Sequence, residues 1–196
     1  MDKKEVIGFF DARAEAWDQS VVHDDEVISE ILDNANVTAG CDVLDVACGT
    51  GVLIPDYLER QANSVTAVDI SPRMVQVASS KFPQENVQFL CADAENAAFD
   101  RKFDCIVVYN AFPHFEDPEH LIHTLSGLLR PGGTLSVAHG KSRAAIDAHH
   151  FSEAATVSNG LMHEDELAAI FEEKKLRVTT KISDSRMYQV AGCRAE

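Results

Sequence analysis

The sequence predicts an α/β fold in one domain, 1–196: a doubly wound, seven-stranded, mainly parallel sheet with one antiparallel strand. Three observations carry that expectation. Short apolar runs alternate with segments of helical periodicity along most of the chain, the pattern of parallel strands joined by crossover helices. The run from Val43 to Gly51, V-L-D-V-A-C-G-T-G, closes on two glycines that permit a tight strand-to-helix turn and a close backbone approach to a ligand. The last two strand-like runs are separated by the turn-like S-D-S, which suits a hairpin and not a crossover.

Taken in order, helical segments are expected from Lys4 to about Trp17 and from about Asp24 to Ala35. After the Val43 run, strands are expected at Ser64 to Asp69, Val87 to Asp93, Phe103 to Asn110, and along L-L-R-P-G-G-T-L-S-V-A-H to His139. Helices at Val52 to Arg60, Pro72 to Lys81 and Glu119 to Leu129 fall between them. Asp117-Pro118 supplies an N-cap and a first-turn proline for the third of these. A late helix near Glu164 to Lys174 begins with acids and ends in Lys174-Lys175, matching the helix dipole. The closing strands are expected at about Leu176 to Ile182 and Met187 to Cys193. Residues 1–40 form an N-terminal helical cap in this reading, and residues 140–162 a substrate-side insertion.

Open parallel sheets bind ligands at the C-terminal ends of their strands, and there the polar residues of this chain gather. One edge collects Asp45, Gly49, Asp69, Asp93, Asn110 and His139. Asp69 stands about 20 residues past the glycine turn, where an acid can accept from two ribose hydroxyls. Singly, Asp45 also suits a buried cap, Asp69 an N-cap for the helix at Ser71-Pro72, and Asp93 a turn. In this order, together, they describe a cofactor site. A dinucleotide would want a third glycine in G-x-G-x-x-G, but Ile54 stands there and little chain remains for a second domain.

These motifs resemble the class I S-adenosylmethionine-dependent methyltransferases, a Rossmann-like family, and in particular the small-molecule type that includes the quinone-biosynthesis enzymes. The resemblance runs from F-F-D-A-R-A-E-A-W-D to M-Y-Q-V-A-G. D-V-A-C-G-T-G looks like the cofactor loop, V-D-I-S the ribose-binding strand end, C-A-D-A the adenine contact and L-R-P-G-G-T-L the turn into strand five. It implies S-adenosyl-L-methionine as cofactor, with Asp45, Ala47, Gly49 and Gly51 around the methionine portion and Asp69 on the ribose. It implies Ile70 on one adenine face, Asp93 and Ala94 at the adenine amino group, and Asn110 near the sulfonium. Ala47 replaces a frequent glycine, and as a non-glycine residue it is expected to keep ordinary backbone angles.

The net charge of −15, with 17 basic residues unclustered, argues against nucleic acid and anionic membranes as partners and leaves a small molecule. No stretch reaches the roughly 20 apolar residues of a membrane span, and Met1-Asp2-Lys3-Lys4 does not lead into a signal peptide, so a cytoplasmic protein is expected. The five cysteines show no metal-ligand spacing and read as small hydrophobes. Cys48 is the exception, expected at a helix N-terminus where a thiolate is stabilised.

For the acceptor, the segment from His139 to Phe151 is the informative one, holding Lys141, Arg143, His149 and His150. With His114 in N-A-F-P-H-F, several imidazoles could converge on one mouth, as bases or as ligands, or could simply cap strands. His139 and His114, at the ends of strands four and five, are the expected substrate-side catalytic residues; no resident metal is expected. Phe9, Phe10 and Trp17 can close a pocket from the cap. The chain lacks N/D-P-P-Y/F, which weakens an exocyclic nitrogen acceptor and leaves carbon, oxygen and sulfur open. The alternatives are a metal- or tetrapyrrole-handling protein on the same fold, motivated by the histidines, and a cofactor-binding module without turnover. Oligomeric state has no signal in the sequence.

Overall fold

Alternation along the first strand sets the layers. In β1 (Asp42–Val46) all five residues are buried, Val43 facing one helical layer and Leu44 and Val46 the other. Only a strand covered on both faces is buried along its whole length. The computed structural model describes residues 2–152 and 157–195, with backbone alone at 149–152. The further strands are β2 (Ser64–Asp69), β3 (Val87–Cys91), β4 (Phe103–Tyr109), β5 (Leu129–His139), β6 (Leu176–Ser183) and β7 (Tyr188–Arg194). They form one sheet in the order β3-β2-β1-β4-β5-β7-β6, in which β7 runs antiparallel to both neighbours and the other pairs are parallel.

Eight α-helices are described: α1 (Lys3–Asp11), α2 (Trp17–Ser20), α3 (Asp25–Asn34), α4 (Ile54–Glu59), α5 (Pro72–Lys81), α6 (Pro118–Leu128), α7 (Arg143–Ser152) and α8 (Glu164–Glu173). Val27, Ile28, Ile31 and Leu32 of α3 and Ile54 and Tyr57 of α4 pack on the Val43 side, while Leu121, Ile122 and Leu125 of α6 and Leu167 and Phe171 of α8 cover the opposite face. Asp24, Ser71 and Asp117 cap α3, α5 and α6, each side chain accepting a backbone N–H three residues on. From β1 the chain works outward to β3, and from β4 outward to β5. The switch between β1 and β4 opens a crevice at their C-terminal ends, and that crevice positions the site.

Three expectations are corrected. The segment from Lys4 to Trp17 is not one helix: α1 ends at Asp11, and a 3₁₀ turn at Ala14–Ala16 leads into α2. Asp11 is drawn off to the start of α5, where Oδ1 accepts from Ser71 Oγ at 2.5 Å and from the Arg73 N–H at 3.2 Å. The helix expected from Val52 begins at Ile54, because Gly49 and Gly51 take positive φ of 56° and 85° and the turn between them uses up the residues before it. A Cβ on Gly51 would lie 2.7 Å from the Phe82 ring, so this glycine serves the packing of loop against α5. Ala47 departs from ordinary angles, with φ of 55°.

A left-handed alanine costs about 1–2 kcal/mol that glycine avoids. Ala47→Gly is therefore expected to stabilise the unliganded fold by about 1 kcal/mol, raising the melting temperature by roughly 2–4 °C. Thermal denaturation checks this, and a lower melting temperature contradicts it.

Candidate cofactor and acceptor site

The glycine turn is held by the acid that ends β2. Asp69 accepts from the Gly49 N–H through Oδ2 and from the Ser71 N–H through Oδ1, both at 2.8 Å, while the Cys48 N–H reaches the Val68 carbonyl at 3.1 Å. The loop after β1 and the start of α5 thus share one carboxylate. Burial pushes the Asp69 pKa up, and the backbone donors of Ser71 and Gly49 pull it partly back. Each oxygen retains lone-pair capacity after one backbone bond, so ribose hydroxyls can still be accepted.

Asp45 is the more exposed to electrostatic cost. It lies in β1 with the parity of Val43, toward Tyr57 of α4, and is 2% exposed. Its Oδ2 has no hydrogen-bond partner among the described residues. Burial pushes its pKa up to about 7; the neighbouring Tyr57 hydroxyl lowers it and the Asp69 charge raises it further. An orphaned, buried carboxylate oxygen on a cavity wall is suited to a cationic ligand group.

One cavity brings together Asp45, Ala47, Gly49, Asp69, Ile70, Asp93, Ala94, Asn110 and His114. Asn110 turns the chain out of β4 with φ of 53°, a conformation asparagine tolerates, and its Oδ1 accepts from the Gly140 N–H at 3.0 Å. Gly51 and His139 are not on this wall. His139 shares the strand parity of Val137, is 2% exposed, and meets the Tyr188 ring edge-on at 6.1 Å between centroids, so its imidazole is turned into the α6 and α8 layer instead of toward the cavity.

The cap contributes residues that strand-end reasoning does not reach. Lys3 at the start of α1 pairs with Asp93 at 2.5 Å and with the buried Glu95 at 2.7 Å. Burial pushes Asp93 up, but Lys3 and Asn96 hold it below the ordinary carboxylate value. Phe10 and Trp17 stand on the cavity wall, their rings edge-on at 5.6 Å, and Phe10 meets His114 edge-on at 5.1 Å. Val6 of α1 packs with Val157, so the cap and the 140–162 segment meet beside Ile70. His114 Nδ1 lies 2.6 Å from the Val157 carbonyl. A carbonyl only accepts, so Nδ1 carries a proton. The side chains of His149 and His150 lie outside the described residues.

Cys48 is corrected. It is buried, six residues ahead of α4, and its thiol is pushed well above its usual value by burial and by the charges of Asp45 and Asp69. Its Sγ–H points to the Gly49 carbonyl at 3.6 Å. It is a neutral thiol and no nucleophile. Among the described residues no group of His, Cys, Asp or Glu is placed to hold a metal ion, and no helix is long and apolar enough to cross a membrane.

A family model described as a methyltransferase domain matches residues 43–133, the span from β1 to the turn within β5. Over 139 residues the chain is 31% identical to a malonyl-(acyl-carrier protein) O-methyltransferase of Acetivibrio thermocellus, covering 69% of this chain and 49% of that protein. Over 143 residues it is 30% identical to a ubiquinone biosynthesis O-methyltransferase of Coxiella burnetii, covering 69% of this chain and 61% of that one. Residues 43–133 form a methyltransferase domain of the class I S-adenosylmethionine-dependent type. Among solved structures, a chain from the complex of the Haloferax volcanii Trm112 methyltransferase activator with a methyltransferase matches with a TM-score of 0.80 at 20% identity, covering 100% of this chain and 98% of that one. That likeness shows the fold. The chain spans about half to three fifths of the length of these two curated relatives.

The family's cofactor is S-adenosylmethionine, and the methyltransferase site fits it on its own geometry. The unpartnered Asp45 Oδ2 suits the cofactor's ammonium. A Cβ added to Gly49 would meet Trp17 Nε1 at 3.9 Å and nothing nearer, so there is room above the loop. Pairing with an ammonium needs Asp45 ionised, and its pKa of about 7 makes that form scarce in acid. Affinity for S-adenosylhomocysteine is therefore expected to fall about tenfold per pH unit below 7, with close to one proton released per binding event at pH 6. Calorimetry in two buffers of different ionisation enthalpy checks both, and an affinity flat from pH 7 to 5.5 contradicts the assignment.

Proposed function

We propose that the protein transfers the methyl group of S-adenosylmethionine to a carbon, oxygen or sulfur atom of a small molecule. The observation that carries this reading is the buried Asp45 carboxylate oxygen without a partner among the described residues, set in one cavity with Asp69, Asp93 and Asn110. When bound, the cofactor supplies an electrophilic methyl on a sulfonium. What remains for the chain is to hold both reactants in line and exclude water. Asp45 and the Gly49 loop hold the methionine end, Asp69 the ribose, and Ile70, Asp93 and Ala94 the adenine. Gly51 supports the loop from behind, through its close approach to Phe82.

On the acceptor side His114 takes the role. It stands on the cavity wall beside Phe10, with its ring oriented by the Val157 carbonyl 2.6 Å from Nδ1, and is the imidazole placed to act on an oxygen or sulfur acceptor. His139, buried against Tyr188, supports the end of β5. The cap covers this end through α1, which meets Val157, with Phe10 and Trp17 excluding water. Free cysteines at 41, 48, 91, 105 and 193 are in keeping with a reducing, cytoplasmic setting.

The test is a labelled-methyl screen against thiols, phenols and quinols, together with two variants. Asp69→Ala is expected to weaken S-adenosylhomocysteine at least about tenfold by calorimetry, since a hydrogen bond to a charged group contributes about 1.5–3 kcal/mol. His114→Ala is expected to lower turnover at least about tenfold and leave that affinity within about twofold. Unchanged cofactor affinity in the first variant, or unchanged turnover in the second, contradicts the corresponding assignment.

A further inference from the structure

The charges on the cavity wall are unevenly distributed. Among the described residues five acids line it, Asp45, Asp69, Asp93, Glu95 and Glu116, against a single lysine. That lysine, Lys3, is engaged by two of the acids, at 2.5 Å and 2.7 Å. The rest of the wall is largely apolar and aromatic. Phe10, Trp17, Val21, Tyr109 and Phe115 line it with His114, and among the described residues no arginine, and no lysine besides Lys3, does so. The Tyr109 hydroxyl, pushed up to about 12 by burial, stays protonated and neutral.

We infer that the acceptor is uncharged and apolar around its reacting atom, a phenol or a thiol, and that carboxylates are excluded. This rests on the methyltransferase reading above and narrows it. An anion entering the cavity would leave water for a wall whose one lysine among the described residues is already paired, close to several carboxylates. A flat or soft neutral molecule would instead exchange water for ring faces and edges, which gain from stacking and from sulfur contacts. A malonyl carboxylate is the kind of acceptor that this wall disfavours.

The test is binding to protein saturated with S-adenosylhomocysteine, using matched pairs: para-cresol against para-hydroxybenzoate, and butanethiol against mercaptopropionate. Equilibrium dialysis is expected to show each uncharged member bound at least about thirtyfold more tightly than its carboxylated partner at pH 7.5. Val21→Lys, which adds a cation to the same wall, is expected to narrow that ratio at least about fivefold. Equal or tighter binding of the carboxylated members, or no binding of the uncharged ones by protein that holds S-adenosylhomocysteine, overturns the inference. Failure of the protein to take up S-adenosylhomocysteine overturns the methyltransferase reading instead.

Discussion

Two carboxylates buried in one wall, Asp45 and Asp69, constrain everything built around them. Asp69 is tolerable because it is used: it fixes the glycine turn to the start of α5 through two backbone bonds. Asp45 has no such return within the described residues. Its folded pKa of about 7 exceeds the 3.8 of an unfolded chain, so between those values the folded state binds more protons. Stability of the unliganded fold therefore falls as pH rises across that window, and at pH 8 the penalty is fully present. A cationic ligand group removes it. Binding and stability are thereby coupled through one atom.

The fold supplies what that atom needs. Parallel strands covered on both faces keep β1 dry, the switch between β1 and β4 opens the crevice, and α4 brings the buried Tyr57 hydroxyl near the carboxyl. Ion pairs then tie the cap to the sheet end and α5: Lys3 with Asp93 and the buried Glu95, and, nearer the surface, Glu15 with Arg73 and Asp18 with Lys81. Each exposed pair contributes little, about 0–1 kcal/mol, so the apolar contact of Val6 with Val157 matters as much to closure.

Much of this is written plainly in the sequence, for a physical reason. Parallel strands end where apolar runs meet polar residues, so Asp69, Asp93 and Asn110 can be read at the ligand edge from the order of residues alone. What escapes depends on direction and on partners far along the chain. Strand parity aims His139 at the helical layer, a signal present in its shared register with Leu135 and Val137 but overridden by its place at the edge. Helical periodicity does not show that Asp11, the last residue of α1, accepts from Ser71 and Arg73 at the start of α5. Nor does local sequence show that the turn forces Ala47 to positive φ, that Lys3 reaches Asp93 across 90 residues, or that burial keeps Cys48 protonated.

The central claim is that Asp45 is a cost that the cofactor offsets, and the direct measurement is the melting temperature of Asp45→Asn at pH 8 with and without S-adenosylhomocysteine. The amide keeps the shape and removes the buried charge. The unliganded variant is expected to melt several degrees above the natural protein, and the ligand-induced rise is expected to be largely lost. A variant that melts lower without ligand and still rises fully with it would contradict the claim.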